Sequence, residues 1–247
     1  MGLFSGLHTK VAVYMLYRLY VQLFDLEQRW NVLIIVIMII SMMIGAFGGL
    51  AENSIRRVLG YQMLNGMPFI LVMLAFTSDD PRRALAAGIM YTIHHMLTVG
   101  SLILASGAIE ETYGTGLLSK LSGLARRDPI IAWIFAAGAF SVVGFPPFSG
   151  MWGKLMIVFE IARVGGAWAW IAIAAIIIAS FAAFLAMLRV WRKVFWGKGL
   201  PEDKVPDELV IRKKLMAPSA ALILGSLCMF IFSGIVLDAV SYTHLTL

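Results

Sequence analysis

Apolar residues fall in long blocks along this chain, separated by short polar connections. A block of about 20 apolar residues matches one helical crossing of a bilayer core about 30 Å thick. Seven such spans are predicted, near residues 7–24, 31–51, 59–76, 84–107, 129–162, 168–190 and 216–240. The second is the cleanest, with VLIIVIMII followed by the small residues Gly45, Gly48 and Gly49, which let helices approach closely. The first, with His8, Lys10 and Arg18, is the least apolar, so it should face protein rather than lipid. Arg18 also argues that this stretch is a span and not a cleavable leader. The expected fold class is therefore all-α: a polytopic transmembrane helix bundle of about seven spans, occupying residues 1–240.

The fifth block is too long for one crossing. An unbroken helix over residues 129–162 would run roughly 50 Å. Its middle carries Gly144, Pro146 and Pro147, and Lys154 follows inside the second apolar half. Proline has no N–H for the helix ladder, and its ring clashes with the preceding turn. Two half-helices meeting near the membrane midplane are expected. A break at that depth is tolerated only within protein or beside a water-filled cavity.

Composition supports a membrane protein. Of 247 residues, 60% are hydrophobic and 14% charged, against about 25% charged in soluble domains; the mean hydropathy is +0.87. The net charge of +6 does not point to nucleic acid, because the basic residues lie in short loops. One side collects twelve Lys and Arg between positions 56 and 214; the other has Arg29, Arg82, Arg83 and Arg163. The richer side is expected to be cytoplasmic, with the N-terminus inside and the C-terminus outside. The single Cys228 excludes a disulfide frame and a thiolate metal cluster. No P-loop, dinucleotide fingerprint or His-Glu metal motif is present, so neither an enzyme nor a cofactor is expected. Residues 241–247 fit neither a span nor a domain and read as a ragged or artificial tail.

Four ionisable side chains in or beside spans are the candidates for chemistry: Lys10, His94, His95 and Lys154. A desolvated lysine can gain and lose a proton near neutral pH, and histidine needs little shift to do so. Helix axes pack about 8–10 Å apart, so a proton path through such groups requires bridging water. Tyr14, Tyr17, Thr98, Ser101, Ser141 and Ser149 could hold that water. Each candidate also has a structural reading. Lys10 could snorkel to the headgroups. Adjacent residues on a helix point about 100° apart, so one of the two histidines is expected to face the path. Lys154 is the hardest to explain structurally, because a lysine near the bilayer centre costs about 2.5–3.5 kcal/mol on insertion scales.

FSGLHTKVAVYMLYR, ENSIRRVLGYQM, IHHMLTVGSLILASGAIEETYGTG, LSGLARRDP and FSVVGFPPFSGMWGKL together resemble the antiporter-like membrane subunits. That family comprises the Mrp-type multisubunit sodium/proton antiporters and the proton-pumping subunits of respiratory complex I. The lysine of GMWGKL is similar to that of the D-type antiporter subunits rather than to the complex I member with glutamate there. The resemblance implies a fourteen-span fold with two inverted five-helix repeats, each containing a broken helix. This chain is similar to its C-terminal half, as a fragment of a longer protein. Lys10 would match the lysine of the central hydrophilic axis, His95 the histidine of that axis, and Lys154 the terminal ionisable group. Val99 stands where relatives commonly carry a second lysine, and Gln62 where they often carry histidine. The resemblance further implies other membrane subunits, protons, and Na+ or another monovalent cation as partners, in a prokaryotic plasma membrane. A membrane-arm component of an NADH:quinone oxidoreductase or membrane hydrogenase is the alternative.

Overall fold

A computed structural model describes residues 8–198 and 209–235. The tail at 241–247, and the outer end of the last predicted span, lie outside the described residues. The helices are α1 (Thr9–Leu23), α2 (Asn31–Ala51), α3 (Ile55–Leu71), α4 (Pro81–Tyr113), α5 (Leu124–Arg127), α6 (Pro129–Val143), α7 (Ser149–Val164), α8 (Gly166–Val190) and α9 (Lys213–Ile231). Five helical stretches, containing α2, α3, α4, α8 and α9, are long and apolar enough to cross a membrane. The shorter α6 and α7 make the broken crossing, and the 15-residue α1 lies against α3 and α4. This is a transmembrane helix bundle, in agreement with the pattern of apolar blocks.

Helix α4 is the central rod. Its 33 residues extend for roughly 50 Å, beyond both edges of a bilayer core. Asp80 starts it by accepting hydrogen bonds from the backbone N–H groups of Arg82 and Arg83 at 3.0 and 3.2 Å. This is an N-cap, strengthened by Pro81 at the first helical position. Gly114, at φ +69°, ends it in the left-handed conformation that glycine adopts at least cost. Around α4 stand α3, α6, α7 and α9, so several of its faces are interior. That explains why His94 and His95 are both buried, at 0% and 2% exposure, where their angular separation predicts one inward-facing ring.

The basic side is knitted together by loops. Ser54 and Leu117 form an isolated antiparallel bridge, and the Ile55 N–H donates to Gly116 O at 2.9 Å. Arg56 pairs with Glu110, the Arg127 side chain donates to Leu209 O at 3.0 Å, and the Gly123 N–H donates to Trp196 O at 3.2 Å. These residues belong to the loops assigned to one side by charge. On the opposite side, Glu160 pairs with Arg163 at 3.8 Å and feels the charges of Arg83, Asp79 and Asp80.

Small residues set the close contacts. A Cβ at Gly45 would fall 2.7 Å from Asn65 Cα and 2.8 Å from the Leu64 carbonyl carbon, so α2 rests backbone to backbone on α3. Outward, Trp133, Trp170, Ile177 and Phe181 are exposed, as expected of surfaces that meet lipid or another subunit. The lone Cys228 is exposed as well.

On α1, Lys10, Val13 and Tyr17 share the buried face. The Tyr17 hydroxyl donates to the Ile70 carbonyl, so it closes a helix–helix contact. A buried hydroxyl bond is worth about 1 kcal/mol net. Tyr17→Phe is expected to lower unfolding free energy by about that amount, read by denaturant titration in detergent.

Candidate functional site

The site forms where α6 stops. Proline at 147 supplies no N–H to the Val143 carbonyl four residues earlier, and Pro146 likewise fails Val142. The ladder ends there. Gly144 turns the chain at φ +100°, and its N–H donates to Phe140 O at 3.0 Å. The Pro146–Pro147 bond is cis. Helix α7 restarts at Ser149. The break predicted at Gly144, Pro146 and Pro147 is thus where the structure has it.

Lys154 reaches back across the break. Its Nζ donates to Val143 O at 2.8 Å and to Ser180 Oγ on α8 at 2.9 Å. The nitrogen also lies 5.3 Å from the centre of the Phe69 ring. The carbonyl end of a helix carries partial negative charge, so the ammonium caps the orphaned end of α6. A Cβ at Gly144 would press within 3.1 Å of Lys154 Cδ, so glycine there serves both the turn and the lysine. Lys154 does not stretch away to the headgroups.

His94 lies one helix away. Its Nδ1 is 2.9 Å from Ser149 Oγ, the first residue of α7, and 3.3 Å from Thr98 Oγ1. Gly150 permits this approach: a Cβ there would meet the Ser141 carbonyl and fall 2.8 Å from His94 Cε1. His95 packs instead toward α3, its Nε2 over Gly66 and near the Gln62 backbone, with no well-aligned hydrogen bond at either ring nitrogen. Nearby, the Gln62 amide and Asn65 Oδ1 are buried without a protein partner, as is His94 Nε2. Buried polar atoms of this kind are normally satisfied by ordered water. Lys10 is buried, at 4% exposure, and its Nζ donates to Thr9 Oγ1 at 3.2 Å. Val99 is wholly buried in the apolar core.

Tyr14 sits differently. It is 39% exposed and lines a crevice of about 320 Å³ with Tyr17, Arg18, Asp80 and Arg82, at the less basic side. Two serines carry no signal in the sequence. Ser180 is the α8 partner of Lys154, and Ser226 on α9 bonds Ser141 at 2.9 Å and Ser149 at 2.7 Å. A lone serine in an apolar helix has no periodic pattern around it. Only the neighbouring polar residues, known after folding, mark it. Among the described residues no group of His, Cys, Asp and Glu is arranged to hold a metal ion.

Residues 2–184 match the family model described as NADH:quinone oxidoreductase/Mrp antiporter, TM. The chain is 30% identical over 228 residues to the D subunit of the Na(+)/H(+) antiporter of Bacillus subtilis, covering 92% of this chain and 44% of that protein. It is also 30% identical over 211 residues to the N subunit of the NADH-quinone oxidoreductase of Hydrogenovibrio crunogenus, covering 84% of this chain and 42% of the relative. It thus spans less than half the length of these relatives. A chain in the structure of the Mrp complex from Dietzia sp. superposes with a TM-score of 0.90 at 31% identity, over 97% of this chain and 51% of that one. The buried lysines and histidines, the helix broken at Gly144 and these matches lead to one assignment: the chain belongs to the NADH:quinone oxidoreductase/Mrp antiporter membrane family.

Proposed function

We propose that this chain is the proton-conducting C-terminal half of a D-type subunit in a multisubunit Na+/H+ antiporter of a bacterial plasma membrane. Lys10, His95, His94 and Lys154 are its relay, with water carried by the unpartnered Gln62 amide and Asn65 Oδ1. One observation carries this reading: basic side chains on α1, α4 and α7 face the interior of an apolar bundle, with Lys154 held at the end of a broken helix. Intramembrane ionisable groups facing a bundle interior mark ion paths. Broken helices with free termini are a recurring setting for ion sites in transporters. Other membrane subunits of the complex are the partners, and the coupled cation is sodium.

Lys154→Ala in the complete protein within its complex is the direct test. Sodium-driven proton flux in everted vesicles is expected to fall about a hundredfold, the usual contribution of a positioned proton-transfer group. Flux at the wild-type level would remove Lys154 from the path. The likeness to the N subunit of an NADH-quinone oxidoreductase supports a second reading, a redox-driven proton pump whose chemistry lies in partner subunits. Neighbouring genes for small antiporter subunits favour the first reading; genes for iron–sulfur or flavin subunits favour the second.

A further inference from the structure

Five side chains from four helices close a ring of hydrogen-bond contacts. Starting at His94 Nδ1, it passes to Ser149 at 2.9 Å, Ser226 at 2.7 Å, Ser141 at 2.9 Å, Thr98 at 2.8 Å, and returns to Nδ1 at 3.3 Å. All five residues are buried at 0% exposure. Ser141 precedes the helix break and Ser149 follows it. Ser226, from α9, joins the two sides of the break. The other ring nitrogen, His94 Nε2, is buried without a protein partner.

Resting on the proton-path reading above, we infer that Ser226 is a positioning residue: it ties the hydroxyls into a chain whose order follows the proton on His94. The arithmetic of donors supports this. Each hydroxyl has one O–H to give. When Nδ1 is bare, one hydroxyl donates into its lone pair and the other three donate in sequence behind it. When Nδ1 carries the proton, it donates to Ser149, and every hydroxyl along the chain turns the other way. The last of these, Thr98 O–H, must then turn from Nδ1 to another acceptor, for a helical threonine commonly the carbonyl four residues earlier. The ring thus accommodates either neutral tautomer by reversing its hydroxyls, with Thr98 as the one member that changes partner. Imidazole that takes a proton at one nitrogen and releases it at the other needs such a partner on the Nδ1 side. Without Ser226 the chain divides into two short pieces, and Ser141 and Ser149 each lose a buried partner.

A second link between α4 and α9 provides the control. Ser101 and Ser219 exchange hydrogen bonds to each other's carbonyl at 2.8 and 2.7 Å, outside the ring. In the complete complex, Ser226→Ala is expected to slow sodium-driven proton flux about tenfold, the scale of one buried hydrogen bond. The ratio of flux in H2O to flux in D2O should rise above wild type, because passage through His94 becomes limiting. Ser226→Thr should restore both, and Ser219→Ala should leave the isotope ratio at the wild-type value. Unchanged flux in Ser226→Ala overturns the inference. So does reduced flux with an unchanged isotope ratio, because Ser226 would then only pack helices. If Lys154→Ala abolishes flux while Ser226→Ala is silent, the proton-path reading stands and this inference alone falls. If neither variant matters, both fall.

Discussion

Ser180→Asp is expected to silence proton movement while leaving the assembled complex in the membrane. In the native protein Ser180 Oγ accepts from Lys154 Nζ at 2.9 Å. A carboxylate placed there forms an ion pair with the ammonium. At an effective dielectric near 20 and a separation of about 4 Å, that attraction is about 4 kcal/mol. Such a pair holds the lysine charged and immobile, where a relay needs it to exchange its proton. Flux should fall about a thousandfold, since about 1.4 kcal/mol is a factor of ten in rate. The loss should exceed that of Lys154→Ala, where water can enter the space left and sustain a slow leak. Vesicle flux measured beside the amount of intact complex on a native gel checks both halves of the expectation. Near-normal flux would show that Lys154 does not need to give up its proton.

The second large effect concerns folding. Gly45→Leu should leave almost no assembled protein in the membrane. A Cβ there already falls 2.7 Å from Asn65 Cα, and backbone cannot rotate aside as a side chain can. Overpacking of a well-filled core typically costs about 1–3 kcal/mol. Here a whole isobutyl group would have to fit between two helix backbones, so α2 must leave α3. Gly45→Ala should be intermediate. Gly60→Ala is the control, since a Cβ at Gly60 meets nothing within 4 Å; it should leave the yield unchanged or slightly raised. Equal yields of Gly45→Leu and wild type would contradict the packing described.

Much of this architecture is legible in the sequence because membranes simplify the code. The apolar run predicts the second span at residues 31–51, the observed limits of α2, since such a run in lipid has little choice but helix. The break is legible for a related reason: two prolines beside a glycine cannot continue the ladder. The ends of α4 are not. Hydropathy predicts residues 84–107, but the helix runs from Pro81 to Tyr113. Polar residues such as Arg82, Glu110 and Glu111 resemble a loop by hydropathy, yet a helix that leaves the bilayer can stay helical in water. Helix α3 likewise begins at Ile55, before Arg56 and Arg57.

The candidate site is half legible. A lysine in an apolar half-helix is conspicuous, and so are two histidines in an apolar span. What Lys154 touches is hidden, because the acceptor is a backbone carbonyl made available by a proline four residues further on. Tyr14 is legible by type alone. Its hydroxyl suggests a partner for path water, and the structure places it, 39% exposed, on a crevice lined also by Tyr17, Arg18 and Asp80. The hydroxyl chain through Ser226 draws on α4, α6, α7 and α9, and no stretch of sequence contains it.

The two half-helices are fastened at opposite ends of α4. Asp128, at the outer end of α6, accepts from the Tyr113 hydroxyl and from the Ile211 N–H at 3.0 Å. The outer end of α7 carries Glu160, beside the start of α4 with its Asp80 and Arg83. Each half-helix thus has its outer end beside one end of α4, while the two inner ends are joined through Ser226 and through the Lys154–Val143 bond. A substitution that loosens either tie at the break should therefore be felt in both half-helices at once, although their outer ends lie at opposite ends of α4.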